Sequence, residues 1–306
     1  MKRPDARPIL VAGGDRDPNL QALVTALRLR GEDVLFLQVG AERHPWIAWD
    51  LASDRLLLDG EEVRPRAAFL RHDVFTHLAD SRPESAQRAS AWHTAVAGWV
   101  AAHEDVRSLN RRSLYPAANK PHALHLARQC GLAIPTTLIT NHLGSIDELA
   151  PDTGKIVKPI NGGAYTQRLG AVRDRTQSRD GVTAAPAIVQ VELIQPEVRV
   201  FGIGGRFLAF QVISDELDYR STQKTRVVPI PVPAGLAAGL GWLMDSLGMD
   251  FGAADFKTCA ETGRLLFLEI NTSPMFAAFD KAAGGEVTRT IAGFLAGERV
   301  REAAAA

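Results

Sequence analysis

Short apolar runs alternate with stretches of helical spacing along the first third of the chain. Residues 8–12 (Pro-Ile-Leu-Val-Ala) form a run of strand length closed by Gly13-Gly14-Asp15, a strand followed by a turn. Apolar residues then recur at helical spacing over 20–29, and Gly31 supplies a stop. Residues 33–37 (Asp-Val-Leu-Phe-Leu) predict a second strand. This strand–helix–strand order predicts an α/β architecture opening on a Rossmann-like parallel sheet. Gly13-Gly14 does not complete a G-x-G-x-x-G, so the nicotinamide fingerprint is missing. Residues 56–63, with Asp59-Gly60 at their centre, predict a hairpin, and 67–70 another strand running into Arg71-His72-Asp73. The polar stretch 80–90 leads into a helix through Trp92, Val96 and Trp99, whose tryptophans read as core residues. Residues 109–116 read as an exit loop and a domain boundary.

Beyond it, 117–130 has helical spacing stopped by Gly131, and 134–140 is extended around Pro135. Strands are predicted over 155–159, 187–192, 198–203, 207–213 and 265–270, with Gly204-Gly205 turning a hairpin. A helix covers 236–247, Pro229, Pro231 and Pro233 make an extended spacer, and 303–306 read as a frayed tail.

Composition narrows the function classes. The 306 residues carry 35 Lys+Arg against 35 Asp+Glu, and this zero balance argues against dedicated nucleic-acid binding. Cys130 and Cys259 are too few for a disulfide framework and lack zinc-ligand spacing, as in a reducing compartment. No apolar run reaches membrane-spanning length, and the Met1-Lys2-Arg3-Pro4-Asp5 start lacks a secretory signal. The expectation is a cytoplasmic protein with no membrane and no nucleic-acid partner.

Five features carry candidate chemistry, in this order: Asn119-Lys120, Lys158-Pro159, Gln190-Val191-Glu192 followed by Glu197-Val198-Arg199, Asp255, and Glu269-Ile270-Asn271. Glu269 and Asn271, two apart on a strand, share a face and offer hard oxygens of the kind Mg²⁺ takes alongside nucleotide phosphates. Asp255 lies in a second apolar run and becomes a third ligand if that run pairs with the first. Read singly, the same residues fit a surface carboxylate and a turn-forming Asn before Ser273-Pro274. Lys158 closes a strand at the mouth of Asn161-Gly162-Gly163, where an ammonium and loop N–H groups can meet a phosphate. No Walker A sequence occurs, and an edge lysine beside a turn is the alternative. Lys120 opens a helix, a favourable place for an anion or simply an exposed lysine. Arg199 alternates with Val198 and Val200, so it faces away from them. Arg199 and Arg220 suit a phosphoryl group or a carboxylate, with surface ion pairing of Arg220 to Asp218 or Glu216 as the alternative.

Taken as a series from about 109 to 294, these motifs resemble the ATP-grasp superfamily. The resemblance is specifically to carboxylate–amine ligases such as ribosomal-protein glutamate ligases and graspetide (peptide macrocyclase) synthetases. Its carriers include Ile156-Val157-Lys158-Pro159, Glu197-Val198-Arg199-Val200, Asp218-Tyr219-Arg220 and Phe267-Leu268-Glu269-Ile270-Asn271-Thr272-Ser273-Pro274. The resemblance implies a Rossmann-like N-terminal domain (1–115) and two ATP-grasp subdomains (116–194 and 195–306) clamping a nucleotide. It implies that Lys120 and Lys158 contact ATP phosphates. The resemblance further implies that Glu192, Leu193 and Ile194, with Gln190 before them, form the hinge whose backbone reads adenine, and that Glu197 holds the ribose hydroxyls. It places Asp255, Glu269 and Asn271 on Mg²⁺, two ions being expected, and Arg199 and Arg220 on the transferred phosphoryl group. The implied reaction activates a substrate carboxylate as an acylphosphate for attack by an amine or hydroxyl. Positioning and charge neutralisation suffice for such transfer.

The leading expectation is therefore a ribosomal-peptide maturase forming side-chain ester or amide crosslinks. A ligase for free amino acids, a glutamate-adding protein ligase, a kinase and a non-catalytic nucleotide- or peptide-binding module remain open. The substrate is expected to be a peptide or amino acid, with specificity in the N-terminal domain and in residues 211–226, where Lys224 and Arg226 can meet acidic side chains or form a solvated face. A homodimer is expected from size alone.

Overall fold

The computed structural model describes residues 5–40, 43–75, 80, 82–113, 119–149, 154–161, 165–214, 217 and 225–298. The chain divides into two compact units: Met1–Arg111 with Ile203–Arg206 and Met275–Ala306, and Arg112–Gly202 with Phe207–Pro274. The final stretch thus groups with the N-terminal unit rather than continuing the segment before it. Among the described residues no helix is long and apolar enough to cross a membrane.

The first unit holds a sheet ordered β2-β1-β6-β7, from β1 (Ile9–Gly14), β2 (Val34–Val39), β6 (Ala67–Leu70) and β7 (Arg107–Ser108), every pair parallel. Parallel neighbours need crossovers, which helices Pro18–Leu29 and Pro83–Ala102 supply. Asp17 caps the first of these helices, accepting from the Asn19 N–H at 2.8 Å, and forms a buried ion pair with Arg71. β3 (Ile47–Asp50), β4 (Arg55–Leu58) and β5 (Glu61–Glu62) make a separate antiparallel sheet. Asp59 and Gly60 both adopt positive φ in the β4–β5 turn, the geometry the Asp-Gly pair predicts. Leu10, Leu37, Leu56, Val96 and Trp99 meet in this unit's core, with Trp92 packed against it. Helices Ala277–Ala282 and Glu286–Ala296 belong to the same unit, and periodicity had not singled them out.

The second unit is built from two antiparallel sheets. One comprises β8 (Thr137–His142), β9 (Lys155–Pro159), β10 (Gln167–Arg168), β11 (Ser178–Arg179) and β12 (Val182–Val191), with β12 pairing both β8 and β9. The other is ordered β15-β14-β13-β16-β17, from β13 (Ile194–Ile203), β14 (Arg206–Ile213), β15 (Arg226–Ile230), β16 (Phe251–Thr258) and β17 (Leu265–Asn271). Pro229, expected in a spacer, sits in β15; that strand is an edge, where a residue without an N–H is tolerated. Helix Lys120–Gln129 starts on an Asn119 cap and ends before Gly131 at φ +81°. With helix Leu236–Ser246 it packs on the second sheet over Val198, Val200, Ala254, Phe256, Phe267 and Ile270.

Candidate active site

Strand alternation sorts the polar residues of the second unit from the apolar ones. On β13, Val198 and Val200 enter the core while Glu197 and Arg199 line an open cleft. On β16, Ala254 and Phe256 are core residues, and Asp255 and Lys257 line the cleft. Asp255 faces Glu269 directly across the β16–β17 ladder, as the sequence required if the two runs paired. The ladder then slips: Phe256 pairs with Phe267, leaving Leu268 as an extra residue. A bulge of this kind re-aims side chains, and here the consecutive residues Leu268 and Glu269 both line the cleft. Lys120 comes from the first turn of its helix and Lys158 from β9.

The charges inside are paired. Arg199 donates from Nε and one Nη to the two Asp255 oxygens at 2.7 and 2.8 Å, with side chains only 9% and 7% exposed. Such a fork fixes both side chains. Lys120 Nζ lies 3.1 Å from Glu269 Oε2, in a more solvated position. Burial pushes the Lys158 ammonium below the ordinary lysine range; Glu269 opposes that shift and Lys120 adds to it. A lysine under this strain is suited to a site where an anion relieves it.

Seven of the expected site residues thus meet in one cleft: Lys120, Lys158, Leu193, Glu197, Arg199, Asp255 and Glu269. Asn271 lies beside them, its Nδ2 3.5 Å from Asp255 Oδ2. Gln190 is buried on β12, where its ladder partner Ile156 lines the cleft. Its Nε2 donates to Thr137 Oγ1 at 3.0 Å, while Oε1 is buried with no partner. Glu192 and Leu193 form the two-residue link between β12 and β13, hence between the two sheets. Leu193 lines the cleft, but the Glu192 carboxylate is held by Arg168 at 2.8–3.1 Å and Ile194 is half exposed. Arg220, Lys224 and Gly162-Gly163 lie outside the described residues. Lys257 and Thr166 also line the cleft. Lys257 was legible as the residue two beyond Asp255 on the same strand face, whereas nothing around Thr166 marks it.

The donor set fits a hard divalent cation. Two carboxylates face each other across the ladder with an amide alongside, the hard oxygens such an ion takes. The unsatisfied Gln190 Oε1 fits a ligand N–H donor, such as the exocyclic amine of a purine. Apolar Ile156, Leu193, Leu217 and Leu268 offer walls to a flat ring.

Comparison with solved structures gives the same architecture. The ATP-grasp ligase PsnB, complexed with a minimal precursor, superposes with a TM-score of 0.76 at 24% identity, over 94% of this chain and 98% of that one. The macrocyclase MdnC from Microcystis aeruginosa MRC, bound with precursor peptide MdnA, gives 0.73 at 18% identity, over 94% and 98%. A Chryseobacterium gregarium RiPP-associated ATP-grasp ligase, in complex with ADP and a leader and core peptide, gives 0.69 at 16% identity, over 94% and 96%. No family model and no curated protein matches the sequence. These likenesses show the fold of the ATP-grasp ligases.

Proposed function

We propose that this chain is an ATP-dependent ligase that crosslinks side chains of a ribosomally made peptide through ester or amide bonds. The observation that carries the reading is the convergence of Lys120, Lys158 and Arg199 with Asp255 and Glu269 in one cleft of this fold. The likeness to structures holding precursor peptides supports the choice of substrate. Residues 116–194 and 195–274 act as the two lobes of the clamp, and 1–115 contribute to substrate recognition. The enzyme works in the cytoplasm as a homodimer.

In this reading Lys120 and Lys158 bind the polyphosphate, and Glu197 accepts hydrogen bonds from the ribose hydroxyls. Leu193, the backbone of Glu192 to Ile194, and Gln190 receive the adenine. Asp255, Glu269 and Asn271 hold Mg²⁺, which when bound neutralises phosphate charge as phosphorus–oxygen bonds change. A substrate carboxylate oxygen attacks the γ-phosphorus and ADP leaves with the bridging oxygen. An amine or hydroxyl then attacks the acyl carbon, loses its proton, and expels phosphate. Arg199 and Arg220 stabilise the charge that develops on the transferred group. No protein nucleophile takes part.

The test is intact-mass spectrometry of a candidate peptide encoded beside the gene, incubated with enzyme and Mg-ATP. Loss of one water per bond, abolished by Glu269→Gln and Lys158→Met, is the expected result. An unchanged peptide, with ADP released on free amino acids instead, would assign a small-molecule ligase; a phosphorylated peptide would assign a kinase.

A further inference from the structure

We infer that Lys257 is a positioning residue for the nucleotide ribose, acting through Glu197; this rests on the nucleotide reading of the cleft. Lys257 and Glu197 face each other from neighbouring strands β16 and β13, one step along from the Arg199–Asp255 pair. The order reverses between the strands, 197 to 199 against 257 to 255, so the sheet carries two opposite-charge pairs side by side. Both side chains are nearly buried, at 10% and 8% exposure.

The backbone around Glu197 is fixed independently of its carboxylate. The Glu197 N–H donates to Gln195 Oε1 at 2.8 Å, and Thr258 Oγ1 donates to the Pro196 carbonyl at 2.9 Å. The carboxylate itself lies 3.6 Å from Lys257 Nζ, while that ammonium donates to the Leu217 carbonyl at 3.2 Å. At 3.6 Å the ammonium balances the buried carboxylate's charge without taking a hydrogen-bond position on it. Leu217, Glu197 and Lys257 all line the cleft. Lys257 therefore holds the Glu197 carboxylate in place by charge, without hydrogen-bonding to it at that distance. Two adjacent hydroxyls are the ligand groups such an acceptor-only carboxylate recognises. Lys257 thus sets the preference for a ribonucleotide over its deoxy counterpart.

The test compares binding of Mg-ATP and Mg-2′-deoxy-ATP by calorimetry to the wild-type enzyme, Lys257→Met and Lys257→Arg. Lys257→Met should weaken ATP by about tenfold, or roughly 1.4 kcal/mol. It should weaken 2′-deoxy-ATP much less, so the ratio of the two affinities shrinks; Lys257→Arg should recover most of the ratio. Equal weakening for both nucleotides, or an unchanged ratio, overturns the inference, since a merely structural lysine would treat them alike. If Lys257→Met does not fold, Lys257→Gln is put to the same ratio test. Failure of the wild-type enzyme to bind ATP at all would overturn the nucleotide reading instead, a result distinct from wild-type binding with unaltered selectivity.

Discussion

Removing one partner of the Arg199–Asp255 pair should cost far more than removing both. The two side chains are 9% and 7% exposed, so solvent screens neither charge. In Arg199→Met the Asp255 carboxylate stays buried and faces Glu269 across the ladder, two anions on one sheet face. Breaking a buried pair from one side costs about 3–5 kcal/mol, because the remaining charge has lost its compensation. At roughly 2–4 °C per kcal/mol for a unit of 150–250 residues, that is a fall of roughly 6–20 °C in unfolding midpoint. Asp255→Leu should do similar damage by leaving a buried guanidinium. The double variant Arg199→Met with Asp255→Leu replaces the pair by packed apolar groups, and should recover most of the loss.

Thermal and urea unfolding followed by circular dichroism, on wild type, both singles and the double, closes the thermodynamic cycle. The predicted coupling is at least about 2 kcal/mol in favour of the double. If each single costs under 1 kcal/mol, or the double costs their sum, the pair is not a closed buried unit. Glu197, Lys257 and solvent would then share its charge, and the picture of a cleft held by discrete pairs fails.

Three further outcomes follow from the same geometry. Lys158 has its folded value depressed by burial, so between that value and the ordinary lysine value the unfolded chain binds more proton and stability rises with pH. Lys158→Met should flatten that alkaline slope and raise the ligand-free midpoint while ATP binding is lost; a lowered midpoint would contradict the strained-lysine account. Gln190→Met removes a buried acceptor that nothing satisfies, and should leave ligand-free stability equal or higher by about 1 kcal/mol while narrowing the preference for ATP over GTP in calorimetry. Gly131 and Gly248 both sit at positive φ, but a Cβ at Gly131 meets nothing within 4 Å, whereas one at Gly248 would lie 2.0 Å from the Arg112 carbonyl. Gly131→Ala should cost roughly 1–2 kcal/mol and Gly248→Ala clearly more in urea unfolding; equal costs would refute the clash.

Which parts of the fold were legible follows from period and punctuation. β1, β6 and β9 stand out because each is a short apolar or β-branched run ended by Gly, Arg or Pro. The candidate series was legible on β13 and β16, where Glu197, Arg199 and Asp255 alternate with the core residues Val198, Val200, Ala254 and Phe256. The bulge at Leu268 was not, since a slipped ladder leaves no mark on a single strand. Nor was the pairing of Arg199 with Asp255, which depends on β13 lying beside β16 although 56 residues separate the two side chains. Helix Glu286–Ala296 follows the small-residue turn Ala283-Gly284-Gly285, and the domain boundaries expected at 115 and 194 gave no sign that the chain returns to the first unit.

The balance of charge in the cleft bears on how a polyanion is received there. Lys120, Lys158, Arg199 and Lys257 stand against Glu197, Asp255 and Glu269, and the chain as a whole is neutral. Such a site has little long-range field with which to attract phosphate. Under the proposed function, its affinity for a nucleotide would come from exchange at contact, where one cation leaves a carboxylate and turns to the ligand. Arg199 is the wrong candidate, because its fork makes two short bonds in near-complete burial. Lys120 holds Glu269 by one contact, at 20% and 16% exposure, on a flexible stem. Lys158 has no carboxylate that fully offsets its burial. The two lysines are therefore the groups free in energy to change partner, and the arginine is the fixed wall against which they do so.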